Sequence, residues 1–302
     1  MQEIQKLTKA EKTKLVREKH SYKQKEPVEL KDLTYTKKIY LLAVFRVLTD
    51  ESFDKILPLD NSNHIRVLSP SRDMDNNILD CLYTEDVILV DPISNLDAFV
   101  FKKGKYSDFK LNNVSWIVNV SSESKERLHL ATCYRMIYDD LTNYFPTSTD
   151  ERNLIYSFTM NLALNEIENY LFFKMKELNY KYEFGKKTYN YIYQLLRYLS
   201  VSEIYSIVDK SVAEDYILNS RSESNIKFYG NTITTKLIEF GELAKRNVMS
   251  LKSVPRKECL QRSEISKVFY ELIHDVNDEG FSECPLTFWN NTLKYCYTTD
   301  SG

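Results

Sequence analysis

Six glycines in 302 residues is the feature that most narrows what this chain can fold into. That is about 2%, against roughly 7% in an average soluble protein. Tight hairpins and phosphate-cradling loops consume glycine, because they need positive φ or close backbone approach. A chain this poor in glycine is therefore expected to be mainly α. Apolar residues at 43% and charged residues at 28% suit a globular protein and exclude wholesale disorder. The 22 tyrosines and 15 phenylalanines imply an aromatic-rich core. Length alone suggests roughly two domains.

Five cysteines (Cys81, Cys133, Cys259, Cys284, Cys296) form no CxxC pair, and their number is odd. With no apolar signal-like run at the N-terminus, free thiols and a cytoplasmic location are expected. No apolar run approaches the ~18 residues that would span a bilayer, so no membrane partner is expected. The net charge of −2 conceals local separation. Residues 1–38 carry a net +5, residues 69–99 a net −6, and residues 245–267 a net +5. Such patches select partners by sign where the overall balance cannot.

Residues 1–35 read as a basic arm or a loosely attached helix. Thr36–Leu48 is an apolar helix, a short helix fits Glu51–Leu57, and a third fits Asp73–Asp86. Val87–Asp91 and Ala98–Phe101 then read as strands joined by the turn-rich Pro92–Asp97. This order resembles a winged helix, so residues 36–120 are expected to form a winged-helix-like domain with a small β wing. The resemblance implies a third helix that enters the DNA major groove, where phosphates call for Lys and Arg. Here that helix is acidic, with Arg72 the lone cation among Asp73, Asp75, Asp80, Glu85 and Asp86. Its face is therefore expected to dock a protein or pack within the chain. The basic arm could touch phosphates from the side or lie against this acidic face.

After a link at Lys102–Asn113 and a strand at Val114–Val120, residues 121–302 read as a larger multi-helix domain. Apolar residues recur at helical spacing over Ser124–Phe145. Capping boxes at Ser148/Glu151 and Ser200/Glu203 open two helices, to about Asn179 and Asn219. Gly185 precedes a helix over Lys187–Leu199, residues 219–225 read as a loop, and further helices fit Thr232–Asn247 and Ser263–Val276.

The principal candidate site is the basic cluster Lys245, Arg246, Lys252, Arg256, Lys257 and Arg262, continued by Lys267. It spans a helix end, a proline-containing loop and a helix start, where several cations could converge on phosphate. Tyr180–Tyr198 interleaves rings with bases, as single-stranded nucleic acid requires. Yet Tyr189, Ile192, Tyr193, Leu196 and Leu199 keep helical spacing and read as core. Glu126/His129 and Glu271/His274 share the ExxH spacing of di-iron bundles. Both lie off the apolar stripes of their helices, so no metal is expected. Leu199–Val208 resembles the start of a helix-turn-helix, without the small turn residue expected at Asp209-Lys210. Phosphate-loop, dinucleotide and nucleophile-elbow motifs are absent, and no cofactor is expected.

The sequence thus reads as a non-catalytic adaptor or regulator that holds a protein partner. Any nucleic-acid contact falls to the basic cluster and the arm. One rival is an enzyme with a hydrolytic or metal-dependent site assembled from separate helices. The other is a purely protein–protein helical scaffold, in which the chain's own carboxylates neutralise the basic cluster.

Overall fold

The computed structural model describes residues 7–23, 25–61, 64–123, 125–180, 182, 184–220 and 229–293. Helix makes up 57% and strand 8%, the mainly helical class that scarce glycine favours. The chain forms two compact units, Met1–Tyr144 with Ser263–Val268, and Phe145–Arg262 with Phe269–Gly302. No helix among the described residues is long and apolar enough to cross a membrane.

The first unit is organised around helix α2 (Tyr35–Leu48), which follows α1 (Lys9–Lys19) and the short strand β1 (Val28–Glu29). Thr34 caps α2 by accepting from the Lys37 amide. Ile39, Leu41–Phe45, Val47 and Leu48 are all buried, as befits a helix apolar on nearly every side. Against it pack α3 (Arg72–Thr84), α4 (Leu130–Thr142) and the short α9 (Glu264–Lys267). The sequence assigned α4 to the second domain; its buried Leu130, Cys133, Ile137 and Leu141 belong to the first unit.

The helix expected at Glu51–Leu57 does not form. The Asp50 carboxylate accepts from the amides of Asp54 (2.8 Å) and Lys55 (3.1 Å), closing a turn that bridges Thr49 to Ile56. An aspartate that satisfies nearby backbone donors competes with a helix for them. Ile56 then bridges Trp116 of strand β5 (Trp116–Val118), which pairs antiparallel with β2 (Ile88–Val90). The expected strands therefore exist but do not pair with one another. Strand β3 (Phe99–Lys102) instead forms a hairpin with β4 (Lys105–Phe109), inside the stretch read as a link. Its turn is Lys103-Gly104, with φ of 49° and 73°, as a two-residue hairpin of matching twist demands.

The described residues of 7–35 are docked rather than loose. Strand β1 runs parallel to β6 (Val120–Ser121), and Val16 of α1 is fully buried. His20 sits among Phe99, Tyr106 and Phe109, with its Nε2 2.8 Å from the Tyr106 hydroxyl. Burial, with Lys19 assisting, lowers its pKa to about 4 and keeps the ring neutral. Arg127 fixes the following stretch, donating to the Asn119 side chain (2.7 Å) and to the carbonyls of Tyr22 and Lys25.

In the second unit, α5 (Thr149–Glu177) opens at the Ser148/Glu151 capping box and extends about 43 Å. It turns its Met160, Leu164, Ile167, Tyr170 and Leu171 face into a core shared with α6 (Lys186–Leu195), α7 (Val201–Ser220) and α8 (Tyr229–Lys245). Helix α7 is one helix throughout, so the helix-turn-helix start resembled by Leu199–Val208 has no second helix after Asp209. Most of the loop read at 219–225 lies outside the described residues. Tyr170 and Tyr205 stack at 3.7 Å between α5 and α7. Helices α6 and α8 approach at Gly241, whose missing side chain leaves room for the Tyr191 ring. That ring is held by its hydroxyl, which donates to the Ile238 carbonyl (3.0 Å) and the Glu242 carboxylate (3.1 Å). After α9 the chain widens into a π-helix at Val268–Ile273, and a second follows at Phe288–Leu293.

Two outcomes follow from this packing. Gly241→Ala drives a methyl into the Tyr191 ring and lowers stability by about 1–3 kcal/mol, read as an earlier denaturant midpoint. The second concerns Asp75, which is buried beneath the start of α3 and accepts from the Ser69 amide (2.9 Å) and hydroxyl (2.5 Å). Burial raises its pKa to about 6, against the opposing pull of Ser69 and Arg72. The folded state therefore binds more protons than the unfolded one between pH 3.8 and about 6, and stability falls as pH rises through that window. The stability of Asp75→Asn relative to the parent should rise across it by about 2–3 kcal/mol. Parallel stability–pH curves for the two proteins would contradict this.

Candidate nucleic-acid interface

The basic cluster does not stand out from the surface as a set. Lys245 closes α8 against Glu242 (2.5 Å) and lies over the Tyr191 ring at 5.6 Å. Arg256 is only 18% exposed. It donates to buried Glu166 at 2.9 Å and to both Asp278 oxygens at 3.2 Å, with its guanidinium 4.4 Å above the Phe281 ring. Burial alone would lower its pKa, but Glu166 and Asp278 raise it above the usual arginine range. Arg262 sits 3.1 Å from the same Asp278, pairs with Glu271 and donates to the Asn277 carbonyl (2.8 Å). Lys267 lies on α9 in the first unit and pairs with Glu264 (2.8 Å).

What remains is Arg246 and Lys252, both exposed, and half-buried Lys257, none with an ion pair among the described residues. Their loop is held by the part-buried network Glu166–Arg256–Asp278–Arg262. A phosphate reaching Arg256 must displace a carboxylate from a desolvated guanidinium, and breaking such a pair is costly. Sequence reasoning missed Glu166 and Asp278 as partners. No local pattern marks them, since they stand 90 and 22 residues from Arg256.

The two ExxH pairs fall in different units. Glu126 and His129 are exposed just ahead of α4, while Glu271 is exposed and committed to Arg262. His274 is buried, edge-on to Phe269 at 4.7 Å, and burial depresses its pKa to about 3. Helical phase had placed this histidine opposite the apolar stripe. The π-helix before it, with i→i+5 bonding, shifts the phase and turns it inward. Among the described residues no group of three or more His, Cys, Asp or Glu could hold a metal ion.

The aromatic run divides. Ile192, Leu195, Leu196 and Leu199 are buried, whereas Tyr189 is 40% exposed. Tyr189 meets Phe184 at 6.5 Å between ring centroids, and Phe184 meets Phe172 of α5 at the same distance. In the first unit, a cavity of about 190 Å³ is lined by His20, Tyr22, Lys25, Tyr83 and Leu89 among others. It falls below the usual size of a ligand pocket. No family model, curated protein or solved structure matches this chain.

The network makes a direct prediction. Arg256→Ala strands Glu166 and should cost about 3–5 kcal/mol in chemical denaturation, whereas Lys252→Ala should stay within about 0.5 kcal/mol. Equal effects would place Arg256 in solvent.

Proposed function

We propose that this chain is a non-catalytic binding protein whose first unit is a winged-helix-like module that docks a cationic protein surface. The outward strip of α3 carries the proposal. Asp73, Asn77, Asp80 and Thr84 recur at helical spacing, all exposed, and neither aspartate has an ion-pair partner among the described residues. The other charges of this region are used internally. Glu85 pairs with Lys37, Asp86 with Lys25 and Arg72 with Asp60, while Asp75 is buried on Ser69. A duplex laid on this strip would set phosphates against the Asp73 and Asp80 carboxylates.

The winged-helix-like reading draws support from α2 packed on α3 and from β2 paired antiparallel with β5. The β3–β4 hairpin, within the excursion between those strands, takes the place of the wing. Neutralisation of Lys245, Arg256, Arg262 and Lys267 within the chain favours a protein partner over the basic cluster as a phosphate site. Phosphate contact there would fall to Arg246, Lys252 and Lys257.

The test is binding of a labelled lysine-rich peptide and of duplex DNA to the full chain across a salt series. Peptide binding that weakens with salt and vanishes in Asp73→Lys/Asp80→Lys is the expected result. Duplex binding by the parent that the double variant leaves unchanged, with no peptide binding, would remove this face from the function.

A further inference from the structure

A second surface, on the other unit, presents lysines unpaired among the described residues and has a different texture. Phe172 on α5, Phe184 before α6 and Tyr189 on α6 form a row of rings at 6.5 Å steps. Phe172 and Tyr189 are 39% and 40% exposed, far more than rings that serve only the core. Phe184 and Tyr182 anchor the row, the latter through its hydroxyl 3.0 Å from Thr188.

Cations flank these rings. Lys176 lies one turn beyond Phe172 on α5, and Lys186 and Lys187 occupy the first turn of α6. All three are exposed and none has an ion pair among the described residues. That first turn carries no acidic residue, and cations there oppose the helix dipole. The buried groups of α6 (Thr188, Ile192 and Leu195) account for its packing without Lys186, Lys187 or Tyr189. Packing therefore does not explain the outward face.

We propose that this face binds single-stranded nucleic acid, with unpaired bases stacking on Phe172 and Tyr189 and phosphates meeting Lys176, Lys186 and Lys187. A single strand offers flat apolar rings and a regularly repeating negative charge together, matching both halves of the surface. A duplex keeps its bases stacked on one another and leaves the rings unused. An acidic peptide satisfies the lysines but brings no rings to stack. The proposal is independent of the acidic strip on α3, since it uses other residues of another unit and a ligand of opposite charge.

The test is fluorescence anisotropy of the full chain with labelled oligothymidine, oligouridine, a duplex of equal length and a glutamate-rich peptide, over a salt series. Oligothymidine or oligouridine should bind best, with log affinity falling with log salt at a slope of roughly −2 for three phosphates. Lys186→Ala/Lys187→Ala should flatten that slope by about 1.4. Phe172→Ala and Tyr189→Ala should each weaken binding about tenfold and leave the slope unchanged. Tyr189→Phe keeps the ring and should bind as the parent does, which separates stacking from any loss of folding. No single-strand binding at low salt, equal binding of the duplex, tighter binding of the glutamate peptide, or full binding by Phe172→Ala/Tyr189→Ala would each overturn the proposal.

Discussion

In each unit a buried carboxylate decides where irregular chain can go. Glu264 is 1% exposed and receives Arg46 Nε at 2.9 Å and Lys267 at 2.8 Å. Burial by itself would raise its pKa, but Lys267 and Arg46 hold it below the usual carboxylate range. The pairing returns Ser263–Val268 to the first unit, where the Glu264 and Ile265 amides also bond the carbonyls of Val67 and Leu68. Glu166 serves the second unit in the same way. It projects from the middle of α5 into the core and takes Arg256 from a stretch with almost no regular structure. Desolvating either carboxylate is costly unless its cation arrives in good geometry, which favours the observed course of each loop. The net stability these pairs contribute can be small even though breaking one is expensive. Their effect is on conformation more than on the total free energy.

Patterns local in sequence were legible, and those needing a distant partner were not. The capping boxes at Ser148 and Ser200 and the apolar stripes of α4, α5 and α8 each lie within a few turns, and the helices stand within a few residues of where they were read. Glu51–Leu57 failed although its residues tolerate a helix, because Asp50, one residue outside, captures the amides the helix would use. The strand positions after α3 were right and their partners wrong. Pairing depends on β4 and β5, and β4 lay in a lysine-rich stretch that reads as a loop. His274 shows the limit of angular arithmetic, since its inward position depends on a π-helix that no composition rule announces. Residues 1–35 read as a basic arm or a loosely attached helix because single buried groups such as Val16 and His20 leave no periodic trace. Val16, His20, the β1–β6 pairing and Arg127, all reaching distant parts of the chain, dock it together.

The candidate site was legible as composition and not as geometry. Seven cations within residues 245–267 promised a phosphate surface, yet a charge count cannot distinguish a solvated arginine from one clamped between two carboxylates. Arg256 and Arg262 share Asp278, and their guanidiniums lie near the rings of Phe281 and Tyr270. That environment suits an arginine that stiffens a fold. Among the described residues of the second unit, most cations without an ion pair are lysines. A flexible ammonium left in water contributes little to folding and stays available to a passing anion.

The aromatic stretch Tyr180–Tyr198 divides between core and surface. A helix has room for only one buried stripe, so a run with more rings and aliphatics than that stripe holds must turn some outward. In α6 the aliphatics Ile192 and Leu195 take the inside, because they fill the space between α5, α7 and α8 without a polar atom to satisfy. Tyr191 reaches across to α8 and finds partners for its hydroxyl. Tyr189 has no such claim and faces water beside Lys186 and Lys187. The core reading holds for Ile192, Leu195, Leu196 and Leu199, and the outward rings carry only the proposed stacking. Phe184, itself packed on the core, lies 6.5 Å from both Tyr189 and Phe172, so the outward rings meet the inward packing through a ring between them.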